Sequence, residues 1–189
     1  MALTNQDIDL FYLEVLARHA TQAEQATFAA LSNSESSAQI RADIATLPEA
    51  TTFVDPVIRL YQGAFGRVPD TADPQGDTVA AFDTGATSGY WANVNAYRSG
   101  ISLLALAEAF THSQEFINLY GSSNVTATSI TAYYQHILGR EPASTEVSAW
   151  LNAKDSAGHP LDAAQILLGF TQSTEYIGRS QASIDTFKA

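Results

Sequence analysis

Apolar residues along this chain recur every three or four positions, the spacing that lines one face of an α-helix. After Thr4 they fall at Ile8, Phe11, Tyr12, Val15 and Leu16, and Asp7 stands three residues after Thr4, as in a helix N-terminal capping pair. A second helix is predicted over 22–31 on Ala23, Ala26, Phe28 and Leu31, closed by the serine-rich stretch 32–37. A third covers 38–47, with Ile40, Ile44 and Leu47 ahead of Pro48. Asp55-Pro56 reads as an N-cap followed by proline at the first helical position, opening a helix through Val57, Ile58, Leu60, Tyr61, Ala64 and Phe65. Residues 101–110 form a core helix, Ser129 reads as the cap for Ile130, Tyr133, Tyr134, Ile137 and Leu138, and a further helix is expected over 161–170. No segment alternates with the period of two that a half-buried strand requires. The expected fold is all-α, with tandem helical repeat units packed in short antiparallel pairs as a multi-helix bundle.

One phrase organises the chain. Tyr61-Gln62-Gly63-Ala64-Phe65-Gly66-Arg67-Val68-Pro69 returns as Tyr134-Gln135-His136-Ile137-Leu138-Gly139-Arg140-Glu141-Pro142. An aromatic and an apolar residue face the core, glycine closes the helix in the left-handed region, and proline bars its continuation. Tyr12 to Ala20 is a fainter copy that keeps Arg18 but lacks both glycine and proline. Downstream, Phe110, Ser113, Glu115 and Phe116 match Phe170, Ser173, Glu175 and Tyr176. Between them the second copy carries a long insertion, so that Pro69 to Trp91 is much longer than Pro142 to Trp150. The organisation predicted is a degenerate first repeat over 1–54, a second repeat with an acidic loop insertion over 55–121, and a third over 129–180, in one continuous domain. Residues 121–128 read as a polar linker, and the weakly apolar tail after Arg179 reads as frayed or as leading into further chain.

Composition narrows the chemistry. With 189 residues and 46% of them apolar, the chain has ample material for a core. Nine Lys and Arg against 20 Asp and Glu give a net charge of −11, which repels nucleic acid and anionic lipid, and no basic run offsets it. The chain has no cysteine, which removes disulfides, thiolate metal sites and cysteine nucleophiles. The opening residues are polar and acidic rather than basic and then apolar, unlike a secretory signal peptide. The most apolar run, 101–110, is too short to span a bilayer and is broken by Glu108.

Arg67 and Arg140, each just past a helix end, are placed to bind helix C-terminal carbonyls or to pair with Glu115 and Glu175. Ser113 and Ser173 suit helix ends better than nucleophiles, since no base stands beside them. Trp91 and Trp150, with Tyr90, Tyr97, Tyr133 and Tyr134, are either core residues or stacking platforms for sugar rings. Tyr90-Trp91 is the expected exposed pair, because neighbours on a helix cannot both face one core, and Tyr97 lies on the same stretch. Asp70, Asp73, Asp77 and Asp83 in the insertion form either a calcium site or a solvated acidic loop, without the EF-hand spacing. Calcium is the one cofactor the residues suggest. His19, His112, His136 and His159 lack zinc-site spacing, and no phosphate-binding loop, dinucleotide fingerprint or nucleophile elbow occurs.

Taken together, Tyr-x-x-x-Leu/Phe-Gly-Arg-x-Pro, a later Trp, and Phe-x-x-Ser-x-Glu-Phe/Tyr resemble the phycobilisome-linker-like domain of unknown function that is repeated in many large secreted bacterial proteins. The letters that carry the resemblance are Tyr61, Gly66, Arg67, Pro69, Trp91, Phe110, Ser113, Glu115 and Phe116, and then Tyr134, Gly139, Arg140, Pro142, Trp150, Phe170, Ser173, Glu175 and Tyr176. The resemblance implies an all-helical module of surface-layer, adhesin and calcium-repeat proteins exported by type I secretion without a cleaved N-terminal signal. The chain departs from the family between Pro and Trp, where the insertion stands in one unit and Ala143-Ser144-Thr145-Glu146 in the other. In layout it also resembles the helical N-terminal anchoring domain of bacterial surface-layer (S-layer) proteins. The expectation is a non-enzymatic anchoring or assembly module at the cell surface, binding polysaccharide such as lipopolysaccharide or further copies of the same surface protein. A protein–protein assembly linker and a glycan hydrolase working through Glu115 and Glu175 are the alternatives.

Overall fold

The computed structural model describes residues 2–70 and 89–189, and among them every regular element is helical; the only extended pairing is an isolated bridge between Lys154 and Pro160. The chain divides into two compact units, one made of 1–58, 69–100 and 182–189, the other of 59–68 and 101–181.

In the first unit, α1 (Asn5–Leu16) opens at Thr4, whose hydroxyl accepts from the Asp7 amide while the Asp7 carboxylate accepts from the Thr4 amide at 2.8 Å. This is the predicted capping pair, which satisfies two of the orphan donors at a helix start. The helix stops at Ala17, which takes the left-handed conformation (φ 55°) and donates its amide to the Leu13 carbonyl. Next come α2 (Gln22–Leu31), capped by Thr21, and α3 (Ser37–Ala45), capped by Ser36. Ile8, Leu13, Val15, Leu16, Ile40 and Ile44 are fully buried, so the spacing read from the sequence does define the core face.

The segment after α3 corrects one expectation. Helical structure begins at Pro48, passes through a π-helical turn at Ala50–Val54 and runs straight into α4 (Asp55–Phe65). Asp55 is therefore inside a continuous helix rather than its N-cap, and its amide donates five residues back, to Ala50. A wide turn at this point accommodates Pro56, which has no N–H and whose ring would crowd the carbonyl of residue 52 in a regular helix. The Asp55 carboxylate is buried and meets the Lys188 ammonium at 2.8 Å. The first unit is completed by α5 (Gly89–Arg98) and by the end of α11 (Thr174–Lys188), whose Ile184 is fully buried. The tail after Arg179 is thus ordered helix, held by Ile184 and by the Lys188 ion pair rather than frayed.

The second unit holds the rest of α4, then α6 (Leu103–Thr111), α7 (Gln114–Tyr120), α8 (Ala127–Leu138), α9 (Ser144–Asn152), α10 (Ala163–Thr171) and α11 to residue 181. Helix α8 starts three residues ahead of the expectation: Thr126 is its cap, and Ser129 is the third helical residue, its hydroxyl accepting from the Thr126 amide at 2.8 Å. Its core is aromatic. Tyr133 lies between Phe116, Tyr120 and Phe170 with ring centres at 6.1, 4.9 and 5.7 Å. Helices α4 and α10 approach closely enough that a β-carbon on Gly63 would fall 2.2 Å from the Thr171 methyl. Gly121, placed in a linker by sequence, closes α7 in the left-handed region (φ 80°).

Candidate functional site

The shared arginines build the same device three times. At the end of α8, Arg140 lies over the Tyr134 ring at 4.6 Å, while its guanidinium spans Glu146 at 2.8 and 3.0 Å and Glu175 at 2.9 and 3.2 Å. At the end of α1, Arg18 lies over Tyr12 at 4.9 Å and spans Glu24 at 2.8 and 3.0 Å and Glu49 at 2.7 Å. At the end of α4, Arg67 reaches Glu115 at 2.7 and 2.9 Å beside the Tyr61 and Phe65 rings. Each uses the flat fork of guanidinium to tie a helix end to the opening turn of a later helix, with an aromatic face beneath the cation. The expected pairs Arg67–Glu115 and Arg140–Glu175 are both present.

Several members of these clamps escaped the sequence reading. Glu24 and Glu146 each stand six residues after their arginine and also accept from the backbone at the start of the next helix, at Thr21 and Ala143. Glu49 follows Pro48 just as Glu115 follows Gln114 and Glu175 follows Thr174, at the second position of a helix. The signal was available in the Thr21-x-x-Glu24 capping pattern and in the common place of the three glutamates. Ala17, at φ 55°, stands where Gly66 (φ 67°) and Gly139 (φ 61°) stand in the other copies. A second arginine stoppers two of these helix ends: Arg98 donates to the Leu16 carbonyl and Arg179 to the Leu138 carbonyl.

The clamps favour the ionised form of four of their carboxylates. Hydrogen bonds from Arg18 hold Glu24 down to about 2, and those from Arg140 hold Glu146 down to about 2. Arg67 lowers Glu115 and Arg140 lowers Glu175 below the ordinary carboxylate range. A glycosidase acid needs the opposite, a carboxyl whose pKa is raised so that it holds a proton. Glu115 and Glu175 are each engaged with an arginine of their own.

The aromatic platform is corrected in part. Tyr90 is 0% exposed; its hydroxyl donates to the Val15 carbonyl at 2.6 Å, and its ring meets Phe187 edge-on at 5.2 Å. Burial raises its phenol pKa, and the ring cannot stack on a sugar. Of the adjacent pair, Tyr90 takes the core and Trp91 is half-buried, while Tyr97 is half-buried against Phe53 at 5.9 Å. Trp150, half-buried, stacks on Phe170 at 4.9 Å and donates to the Tyr134 hydroxyl at 3.2 Å; Tyr133 and Tyr134 are buried. Of the four aspartates assigned to calcium, Asp73, Asp77 and Asp83 lie outside the described residues. Asp70 is exposed, and its carbonyl accepts from the Tyr90 amide at 3.3 Å.

The second unit contains a cleft of about 320 Å³ lined by Glu108, Thr111 and His112 at the end of α6, Ser123 after α7, and Asp162, Ala163 and Ala164 at the start of α10. Thr111 and the two alanines are buried and form its floor; Glu108, His112 and Asp162 are exposed at its rim. The His112 Nδ1 lies 2.7 Å from the Glu108 carbonyl oxygen. Asp162 caps α10 by accepting from the Gln165 amide at 2.8 Å.

No curated protein and no solved structure matches this chain. Residues 107–180, less than half of the chain, match a family described as a domain of unknown function (DUF4214), a stretch that runs from α6 into α11 and takes in the whole Arg140 clamp.

Proposed function

We propose that this chain is a non-enzymatic anchoring or assembly module of an exported bacterial surface protein, with cell-surface polysaccharide such as lipopolysaccharide as its ligand. The observation that carries the reading is the threefold arginine clamp. The glutamates with strongly lowered pKa values are engaged in tying helix ends together, a use suited to a stiff scaffold rather than to proton transfer. The net charge of −11 favours a neutral or cation-bridged surface over nucleic acid. The resemblance to repeated domains of secreted proteins supplies the surface location, and the likeness in layout to surface-layer anchoring domains supplies the lipopolysaccharide.

The test is titration of the whole chain with purified lipopolysaccharide, with and without calcium, beside sedimentation of the chain alone and an assay for released reducing ends. Saturable binding without glycan cleavage is expected. Release of reducing ends would make the chain a hydrolase. Self-association without polysaccharide binding would instead favour the protein–protein linker.

A further inference from the structure

We propose that the cleft between the end of α6 and the start of α10 is the carbohydrate site, and that it takes a sugar residue free of phosphate and carboxylate groups. This rests on the polysaccharide reading above. The cleft, at about 320 Å³, lies at the small end of ligand pockets, which run from about 300 to 1,000 Å³. That size suits one or two sugar rings and excludes a docked helix. Its floor is built from short side chains, with Thr111 1%, Ala163 5% and Ala164 3% exposed, so nothing fills the space from below.

The polar groups around the floor are rich in acceptors. The Glu108 carbonyl can only accept, so His112 bears its proton on Nδ1 and, when neutral, presents Nε2 as a lone pair. Asp162 is held in place by the Gln165 amide on one oxygen, and carboxylate oxygens have further acceptor sites. Glu108 adds a second carboxylate, and the Ser123 hydroxyl both donates and accepts. Sugar hydroxyls are donors in pairs, which such a rim can accept. A phosphorylated or uronic sugar would meet two carboxylates with no lysine or arginine among the lining residues. A bare metal ion is poorly served, since no group of three or more His, Asp or Glu side chains converges among the described residues.

The experiment is a titration of the isotopically labelled chain, followed by amide resonances, with neutral hexose, deoxyhexose and N-acetylhexosamine oligosaccharides and, in parallel, uronate and phosphorylated ones. At least one neutral oligosaccharide should bind and shift the amides of residues 108–112, 123 and 162–164. Acidic oligosaccharides should bind at least tenfold more weakly. Glu108→Gln combined with His112→Ala, both exposed positions, should weaken binding at least tenfold with the melting temperature nearly unchanged. Lipopolysaccharide binding that persists with shifts elsewhere, or with the double variant unaffected, overturns the cleft and leaves the polysaccharide reading standing. Equal or tighter binding of acidic sugars overturns the ligand class. Failure of every neutral oligosaccharide overturns this inference, and failure of lipopolysaccharide as well overturns the reading beneath it.

Discussion

The clamp at the end of α1 and the clamp at the end of α8 have the same parts in different surroundings. In both, a tyrosine lies under an arginine that holds two glutamates, and a second arginine stoppers the helix end. The helix closes on Ala17 in one and on Gly139 in the other, so glycine is a convenience of the repeat rather than its requirement. What the copies share is the guanidinium network, and it persists where the glycine–proline signature has been lost. Burial separates them: the Arg18 side chain is 25% exposed and shares Glu49 with Arg98, whereas Arg140 is 37% exposed. Identical contacts therefore have different energetic weight, because desolvation strengthens a pair and raises the cost of breaking it.

The widest contrast is between a buried ion pair and an exposed one. In the first unit, the Asp55 and Lys188 side chains are 3% and 4% exposed. Asp55→Ala leaves the buried ammonium with the Ala45 carbonyl at 3.3 Å and the exposed Asp185 carboxylate at 3.8 Å, and a loss of about 3–5 kcal/mol is expected in chemical denaturation. Glu115→Ala breaks a pair in which both side chains are more than two-fifths exposed, and about 0–1 kcal/mol is expected. Similar losses at the two sites would remove burial as the distinction.

Next in size is Arg18→Met, which leaves Glu24 and Glu49 without their common donor and should cost about 1.5–3 kcal/mol. Arg140→Met should cost less because water reaches its partners. Thermal melts of the two variants decide the order, and a larger loss at Arg140 would reverse the comparison.

The helix-closing residues give a smaller effect of opposite sign in the two clamps. Gly139→Ala places a side chain at φ 61° and a β-carbon 2.7 Å from the Arg179 guanidinium, so it should cost about 1–2 kcal/mol of backbone strain and displace that stopper. Gly121→Ala meets only the backbone term, since the space beside it is open. Ala17→Gly relieves the same strain and should stabilise by up to about 1 kcal/mol, less the entropy that glycine adds to the unfolded chain. If Ala17→Gly destabilises, the methyl packing of Ala17 outweighs its conformation.

The smallest effect is the acid response. The folded-state pKa values of Glu24 and Glu146 lie near 2, below the ordinary 4.5. Their stabilisation is therefore complete above about pH 4.5 and is lost as pH falls toward 2, when protonation breaks the clamps. Melting temperature should decline over that range, with a shallower slope in Arg140→Met. An unchanged slope would mean that Glu146 and Glu175 titrate independently of Arg140.

Much of this was legible because it is local. Helix faces, the Thr4 cap, the closing role of Gly66 and Gly139, and the Arg67–Glu115 and Arg140–Glu175 pairs all follow from spacing within a turn or from recurrence between copies. The misplaced start at Asp55 has a local cause too, since proline at a first helical position and proline after a π turn look alike in sequence. Tyr90 was lost for a different reason. Helical spacing says that Tyr90 and Trp91 face different ways, but the choice of inward face depends on Val15 and Phe187, which are remote in the chain. Likewise, Glu49 and Arg98 join the Arg18 clamp through contacts that no short motif encodes, and the cleft exists only where two helix ends and a turn converge. By itself the sequence determined that the fold is all-α, where several of the helices lie and that the phrase at 61–69 returns at 134–142, because backbone propensity and capping act over a few residues. Which aromatic is core, which carboxylate is clamped and where a ligand has room were decided by tertiary packing, because burial and charge pairing are properties of neighbours distant in the chain.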